Sequence, residues 1–470
     1  MQKILTKYWL LVHIGAILFF PWSYLSRSDV NGLVPLLWLS LITFEVALLL
    51  PTVRSGETLA DARQRVVRTV VADPFFYISL VALIYAVLQW LNSDCKRVYL
   101  PDADLWQFTP PRWSWAPFGV NATAALMSFS AIFASVTGCL CLRHIISQTG
   151  KRYLLQVAAC VSGAMAIFFV WKASHGVEPY GEYAVNGGDG IGIFFSLWLI
   201  MGMGAYVDAL ARQQRGSEGL FALGIVGNLV GMLYFAKTLP LLISSILALL
   251  VFFYWFAYLG AYVSRNVKLK LFLVSFVVVI SVATATIFVF PGNPVAVKVK
   301  SLQDVDVYWH GLSETKELRT SSAMKIWQEH PWVGVGPDGF RQFVGTVISG
   351  KEWRLLKTDQ ACVYNDSVQF LCEYGLFGFL LLVSAIVTLM ASICYRARIA
   401  WKQGPLENDV NNAFLLRVSP LVFTGVLAVG VCFLESWFSC PFRTPSVSMS
   451  WVFVLAMLSG FLPANARKSR

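Results

Sequence analysis

The sequence predicts an all-α polytopic membrane protein with about twelve transmembrane helices. Of its 470 residues, 57% are hydrophobic and only 13% are charged, and the mean hydropathy is +0.63. These values are far more apolar than those of a soluble domain of this size. Apolar runs of about 20 residues, the length that crosses about 30 Å of hydrocarbon, recur along the chain. A single long polar loop interrupts them.

The apolar runs divide the chain into three parts. Residues 1–290 hold nine predicted spans, residues 291–362 form the loop, and residues 363–470 hold three more spans. The first run lacks a small-residue cleavage site after it, so we expect a retained helix rather than a signal peptide. The runs lie near residues 8–26, 33–50, 72–91, 117–140, 153–172, 190–207, 219–236, 238–260, 270–290, 364–395, 413–434 and 446–463.

The distribution of Lys and Arg predicts the orientation. With a cytoplasmic N-terminus, 20 Lys and Arg flank the spans on the inside and 7 lie in the short outside loops. The positive-inside rule then places both termini in the cytoplasm and the long loop outside. The net charge of +11 is accounted for by the inner membrane face, where anionic lipid attracts cations. We therefore expect a lipid bilayer as partner and no nucleic acid.

The long loop has the composition of a folded cap. It contains nine Lys/Arg, eight Asp/Glu, two His and four Trp, which is too aromatic for a disordered tether. Within it, residues Glu314–Glu329 have a helical pattern with Ser313 placed as the N-cap, and Pro331 ends that helix. The following glycines spell G-x-G-x-x-G, but no strand precedes them, which excludes a dinucleotide site.

Cysteine and histidine spacing predicts neither a metal nor a cofactor. The five histidines have no i, i+4 pairing and no Cys or carboxylate at zinc spacing, so we expect metal-independent chemistry. Three of the nine cysteines, Cys95, Cys362 and Cys440, are expected outside. A disulfide between two of them is one interpretation in an oxidising compartment. The other, which we favour, is that they are small apolar side chains near helix ends.

Two segments resemble a known family. The runs RTSSAMKIWQEHPWVGVGPDGF and YNDSVQFLCEYGLFG are similar to the signature of the O-antigen ligase and polymerase family of bacterial envelope glycosyltransferases. In that family an Arg-led helix, a P-x-x-G-x-G turn and an H-N-x-x-x-x-x-L-x-E-x-G-x-x-G segment bracket a large periplasmic loop in a twelve-span protein. Residues 179–188 give a weaker echo of the family pattern.

The resemblance implies a function and a location. It implies transfer of an oligo- or polysaccharide from undecaprenyl pyrophosphate to an acceptor hydroxyl, on a glycan or a lipid A core, at the periplasmic face of the bacterial inner membrane. Arg319 matches the family's loop arginine and would bind the pyrophosphate. Lys237 stands where the family has another arginine, so it keeps the charge but loses the bidentate fork.

The chain departs from the family at Tyr364, which stands where the family has the histidine that activates the acceptor. A phenol with a pKa of about 10 is a poor general base at neutral pH. Three hypotheses stay open: Tyr364 stacks on a sugar while Asp366 or His310 is the base, catalysis relies on positioning and phosphate stabilisation, or the chain is a weak or inactive member. We favour a working enzyme with a different base, and we expect Arg319 to pack near Tyr364 and Thr238.

Further residues are candidates for substrate contacts around this site. They are Asn365 beside the tyrosine, Gly334, Gly336 and Arg341 around the glycine turn, and Glu373, which either contacts substrate or anchors the loop. Ligases and polymerases share these motifs, so both functions stay open. A lipid-linked glycan transporter or flippase is the alternative of another class. The short loop near residues 208–218 and the lack of paired interrupted spans argue against it.

Overall fold

A computed structural model of the protein describes ten stretches of the chain and the single residue 53. The stretches are residues 2–24, 34–51, 56–100, 105–175, 187–211, 218–236, 243–252, 305–348, 362–402 and 419–461. All structural statements below concern these residues.

The described chain is almost entirely helical, as predicted. The helices are α1 Gln2–Phe19, α2 Val34–Leu49, α3 Leu59–Val71, α4 Pro74–Leu91, α5 Ala122–Leu140, α6 Gln148–Ser174, α7 Gly187–Ala211, α8 Glu218–Phe235, α9 Ile243–Phe252, α10 Val305–Glu329, α11 Gly339–Val347, α12 Asp366–Lys402, α13 Pro420–Glu435 and α14 Pro445–Gly460. A small antiparallel sheet, which the sequence did not predict, pairs β1 Arg97–Leu100 with β2 Leu105–Phe108.

Five of the described helices are long and apolar enough to cross a membrane. They are Pro74–Leu91, Ala122–Ile145, Gln148–Ser174, Gly190–Ala209 and Asp366–Ile399, and six shorter apolar helices accompany them. Each of these helices coincides with one of the predicted apolar runs. The predicted run at 270–290 lies outside the described residues. The protein is therefore a helical membrane protein, while the number of twelve spans and the orientation stay predictions.

The bundle is held together by close helix contacts and by a buried central helix. A Cβ atom on Gly163 of α6 would lie 2.7 Å from the Cα atom of Gly224 of α8, so the two helix backbones touch, as small residues allow inside a membrane. In α7 the side chains of Phe194, Phe195 and Trp198 are completely buried. This helix fills the interior of the part of the bundle that the structure describes.

One end of the bundle is closed by buried cations around the end of α14. A π-helical turn, Cys141–Ile145, follows α5 and carries Arg143. The Arg143 guanidinium bonds Asp73 at 2.9 Å and Ser459 at 2.8 Å. The Lys151 ammonium donates to the Gly460 carbonyl at 2.7 Å. The pKa of Asp73 lies below its usual range, because its His144 hydrogen bond and the Arg143 charge outweigh the burial that would raise it.

The other end carries a small folded unit, here called the loop unit: residues 92–100 and 105–120, α10, α11 and the turn between them. It has an apolar core that includes Phe118, Ile326 and Phe340, and Val363 from the segment before α12 packs into it. Helix α10 ends at Glu329 as predicted but begins at Val305. Ser313 therefore lies inside the helix, and its predicted role as the N-cap is wrong.

Candidate functional site

The loop unit joins the membrane bundle at a break in α12. At Gly375 the backbone has φ 63° and ψ −176°, which interrupts the helix. The carbonyls of Cys372 and Glu373 consequently lose their intrahelical partners. They accept hydrogen bonds from the Val335 and Gly336 amides of the loop unit, at 3.1 and 2.7 Å. The turn after α10 thus completes the broken helix from outside.

The amides beyond the break are bound by the same turn. Leu376 and Phe377 would donate to Cys372 and Glu373 in a continuous helix. Instead they donate to the Pro331 and Trp332 carbonyls, at 2.8 and 3.1 Å. Four loop-to-helix bonds therefore replace two intrahelical ones, and they fix the turn against α12.

The glycines of this turn make backbone contacts. Gly334 and Gly336 have φ values of 66° and 84°, which favour glycine. A Cβ atom on Gly334 would lie 2.5 Å from the Glu373 carbonyl oxygen, and one on Gly336 would lie 2.5 Å from the Cα atom of Gly119. Both glycines, predicted as substrate contacts, are buried against protein backbone in this structure.

An ionic cluster ties the turn to the last two helices. The Arg443 guanidinium bonds the Glu373 carboxylate and lies 3.3 Å from the Asp338 carboxylate. The Gln369 amide also donates to Glu373, at 3.0 Å. Burial would lower the pKa of Arg443, but the charges of Glu373 and Asp338 outweigh it and raise that pKa. Of the two roles predicted for Glu373, the geometry favours anchoring the loop.

Arg319 and Tyr364 are in direct contact, as expected from the sequence. The Arg319 guanidinium carbon lies 4.7 Å from the centre of the Tyr364 ring, and one guanidinium nitrogen donates to the Cys362 carbonyl at 2.8 Å. The arginine is only 6% exposed, so the tyrosine ring covers it. Thr238, the other expected neighbour, lies outside the described residues.

A disulfide between Cys362 and Cys440 supports this contact, so the favoured interpretation of three unpaired outer cysteines is wrong for two of them. Their Cα atoms are 6.4 Å apart and 78 residues separate them. The Tyr364 amide faces both sulfur atoms, at 3.4 and 3.2 Å, and Tyr364 has a φ of 58°. Cys95 is a buried free thiol, and burial raises its pKa to about 11.

Asn365 and Asp366 begin α12 next to this contact. The Asn365 side chain accepts the Val368 amide at 3.2 Å, which caps the helix. The Asp366 carboxylate accepts the Phe442 amide at 3.1 Å, and the Asp366 amide donates to the Ser436 carbonyl at 2.9 Å. The half-buried Asp366 carboxylate thus lies two residues from the tyrosine in a fixed orientation.

Of the remaining predicted residues, Arg341 alone has a described side chain. Lys237 lies outside the described residues. His310 belongs to α10, but its side chain also lies outside them. Its backbone is nine residues from Arg319, about 13 Å along the axis and on the opposite face. Arg341 is exposed near the start of α11.

Three charged residues of this region were not predicted from the sequence. Asp338 and Arg443 form the ionic cluster, and Lys316 lies one helical turn before Arg319. The sequence does contain an indication for Arg443. It is the single cation in a short loop bounded by Pro441 and Pro445, so its side chain has few positions available that are away from the site. The spacing of Lys316 and Arg319 also places both on one helix face.

Comparison with known proteins gives no assignment for this chain. No protein-family model matches it, and no curated protein is significantly similar to it. Among the described residues, no group of three or more His, Cys, Asp or Glu side chains is placed to hold a metal ion.

Proposed function

We propose that the protein is a membrane glycosyltransferase of the O-antigen ligase type, moving a glycan from undecaprenyl pyrophosphate to an acceptor hydroxyl. One observation carries the proposal. The three segments that carry the family resemblance, which are the Arg319 helix, the glycine turn and the Tyr364 segment, pack together at one end of an apolar bundle. A lipid-linked donor and the hydroxyl groups of a glycan acceptor meet at such a boundary.

The proposed chemistry assigns the leaving pyrophosphate to Arg319. A guanidinium can bind two phosphate oxygens at once and stabilise the charge that develops as the glycosidic bond breaks. Because the Tyr364 ring covers Arg319, the donor reaches this cation after the ring moves aside. Tyr364 is then a cover for the arginine rather than a base, which suits a phenol at neutral pH.

The acceptor proton goes to Asp366 in this proposal. Its carboxylate is the one on the Tyr364 segment itself, and the Phe442 amide holds it at 3.1 Å. A fixed carboxylate close to the phosphate-binding cation can receive the proton of an acceptor hydroxyl as the new glycosidic bond forms. His310, the other candidate base, lies on the opposite face of α10 from Arg319.

Substitutions at these residues test the proposal in a transfer assay with purified protein and a lipid-linked donor. Arg319→Ala should abolish transfer and Arg319→Lys should retain a small fraction, since lysine keeps the charge without the fork. Lys325→Ala, at an exposed position of the same helix, should transfer normally. Full activity of Arg319→Ala, with normal insertion, contradicts the assignment of a pyrophosphate donor.

Two further variants separate the roles of Tyr364 and Asp366. Tyr364→Phe keeps the ring that covers Arg319, so activity should persist, whereas loss of activity would show that the hydroxyl takes part. Asp366→Asn keeps an acceptor for the Phe442 amide but cannot take a proton, so transfer should fall by about 10²-fold or more. Unchanged transfer by Asp366→Asn would remove it as the base.

The products distinguish ligase from polymerase. In a strain that lacks this protein, loss of all attached polymer indicates a ligase, and shortened chains indicate a polymerase. A transporter would move lipid-linked glycan across vesicles without transferring it. The buried position of α7, all of whose span Gly190–Ala209 lies inside the bundle, favours a transferase over a carrier with a central cavity.

A further inference from the structure

We propose that the donor lipid first binds at Lys316, on a surface that its pyrophosphate and its polyprenyl chain both fit. This inference rests on the proposed function. The surface, here called the Lys316 shelf, is an open depression on α10 lined by Lys316, Glu317, Thr320 and Ser321. Exposed aromatic residues at the end of α13 lie beside it.

The contacts of Lys316 place it between a polar and an apolar surface. Its ammonium donates to the Trp437 carbonyl at 2.8 Å and lies 4.8 Å from the centre of the Phe438 ring. The Trp437 and Phe438 side chains are 53% and 38% exposed. Large aromatic rings at the end of an apolar helix are typical of the membrane interface. The phosphates of a membrane lipid lie at the same level.

The charge of Lys316 is poorly compensated in the described structure. Burial lowers its pKa, because a carbonyl and a ring stabilise an ammonium less than water or an anion does. An ammonium has three hydrogen-bond donors, and the described residues supply one acceptor at hydrogen-bond distance. Thr320 and Ser321 add hydroxyl groups to the same depression. Together these groups suit a phosphate ester.

The shelf leads to the proposed site. Lys316 and Arg319 are three residues apart on α10, which places them on one face and about 4.5 Å apart along the axis. A pyrophosphate bound at Lys316 would therefore lie within one helical turn of the cation that Tyr364 covers. The polyprenyl chain would then run along the exposed Trp437 and Phe438 rings toward the hydrocarbon.

Glu317 opposes anion binding at the shelf, and this supplies a sharp test. Its exposed carboxylate lines the same depression as Lys316. If a phosphate binds there, removal of the Lys316 charge must lower its affinity and removal of the Glu317 charge must raise it. A shelf with a purely structural role has no reason to respond in this way.

The experiment measures binding of geranylgeranyl pyrophosphate to the full chain in phosphatidylcholine nanodiscs. Lys316→Gln, whose amide can still donate to the Trp437 carbonyl, should weaken binding about tenfold, and Glu317→Gln should tighten it about threefold. Lys325→Gln is the matched control, because residue 325 lies nine positions from Lys316 on the opposite face of α10 and is exposed. It should leave the affinity unchanged.

The outcomes separate this inference from the proposed function. If Lys316→Gln binds the pyrophosphate as tightly as the unchanged protein does, the shelf is not the binding site, even where transfer assays support a glycosyltransferase. If phosphatidylglycerol competes equally well, or Lys325→Gln weakens binding as much, the shelf is a general anionic-lipid surface and the inference is wrong. Failure of the unchanged protein to bind and to transfer instead overturns the proposed function.

Discussion

Replacing Gly375 by alanine should destabilise the loop unit far more than adding a methyl group elsewhere in the bundle. The backbone at Gly375, with φ 63° and ψ −176°, is in a region that only glycine adopts readily, and an L-residue there costs about 1–3 kcal/mol. The new Cβ atom would also lie 2.4 Å from the Trp332 carbonyl oxygen. The chain must then either bear this overlap or straighten the helix.

Straightening has its own cost, which can be estimated from the hydrogen bonds. Four bonds between α12 and the turn would break and two intrahelical bonds would form. At about 1 kcal/mol for each net hydrogen bond, this route costs about 2 kcal/mol before the lost packing is counted. Because both routes are unfavourable, we expect Gly375→Ala to lower the free energy of unfolding by about 2–4 kcal/mol.

Two other glycines separate the causes of this effect. Gly56 has a φ of 80° and Gly430 has an ordinary helical backbone, and a Cβ atom on either would meet nothing within 4 Å. Gly56→Ala should therefore show the backbone cost alone, about 1–2 kcal/mol. Gly430→Ala should be neutral or stabilise α13 by up to about 1 kcal/mol.

The assay combines unfolding in detergent, followed by tryptophan fluorescence, with hydrogen exchange resolved by peptide. Gly375→Ala should speed exchange in the peptides that contain residues 331–336 and 372–377, while the rest of the bundle keeps its protection. If Gly375→Ala unfolds like Gly430→Ala and exchanges normally, the break in α12 is not held by the turn.

Three further perturbations test the anchoring of the loop unit. Cys440→Ser opens a 78-residue link and should lower the free energy of unfolding by up to about 4 kcal/mol; Cys95→Ser is the control, and equal melting of the two variants would contradict a stabilising disulfide. Arg443→Met leaves the buried Glu373 carboxylate without its cation and should cost about 3–5 kcal/mol, most of which a double variant with Glu373→Gln should recover; no recovery would show that the pair is not the cause. Burial lowers the pKa of His330 from 6.5, so its folded form favours the neutral ring and stability should fall as pH drops from about 6.5 through that lowered pKa; a melting-temperature profile of His330→Phe that keeps the same slope would refute this.

The sequence predicts the helices of this protein well, because a membrane span needs about 20 consecutive apolar residues and such runs are easily recognised. The end of α10 was equally accessible, since Pro331 cannot continue a helix. Its beginning was not, because residues 305–313 mix charged, aromatic and β-branched residues without a clear period. Local pattern therefore gives the elements and some of their ends.

The site was harder to predict because its contacts are distant in sequence. The proximity of Arg319 and Tyr364 was expected only through the family resemblance. The break at Gly375 lies in a run that reads as one continuous span, and a glycine inside a helix is ordinary in membranes. The pairing of Arg443 with Glu373, across 70 residues, depends on helix packing that no local pattern encodes.

The cations that hold the end of α14 make an early part of the bundle depend on a segment that is synthesised much later. Arg143, on the π-helical turn after α5, and Lys151, on α6, find partners at Ser459 and Gly460, more than 300 residues later. A polypeptide released before residue 459 would leave these two charges in a dry interior without those partners, which is costly. Such a truncated product should expose them, unfold locally and become a substrate for membrane quality-control proteases.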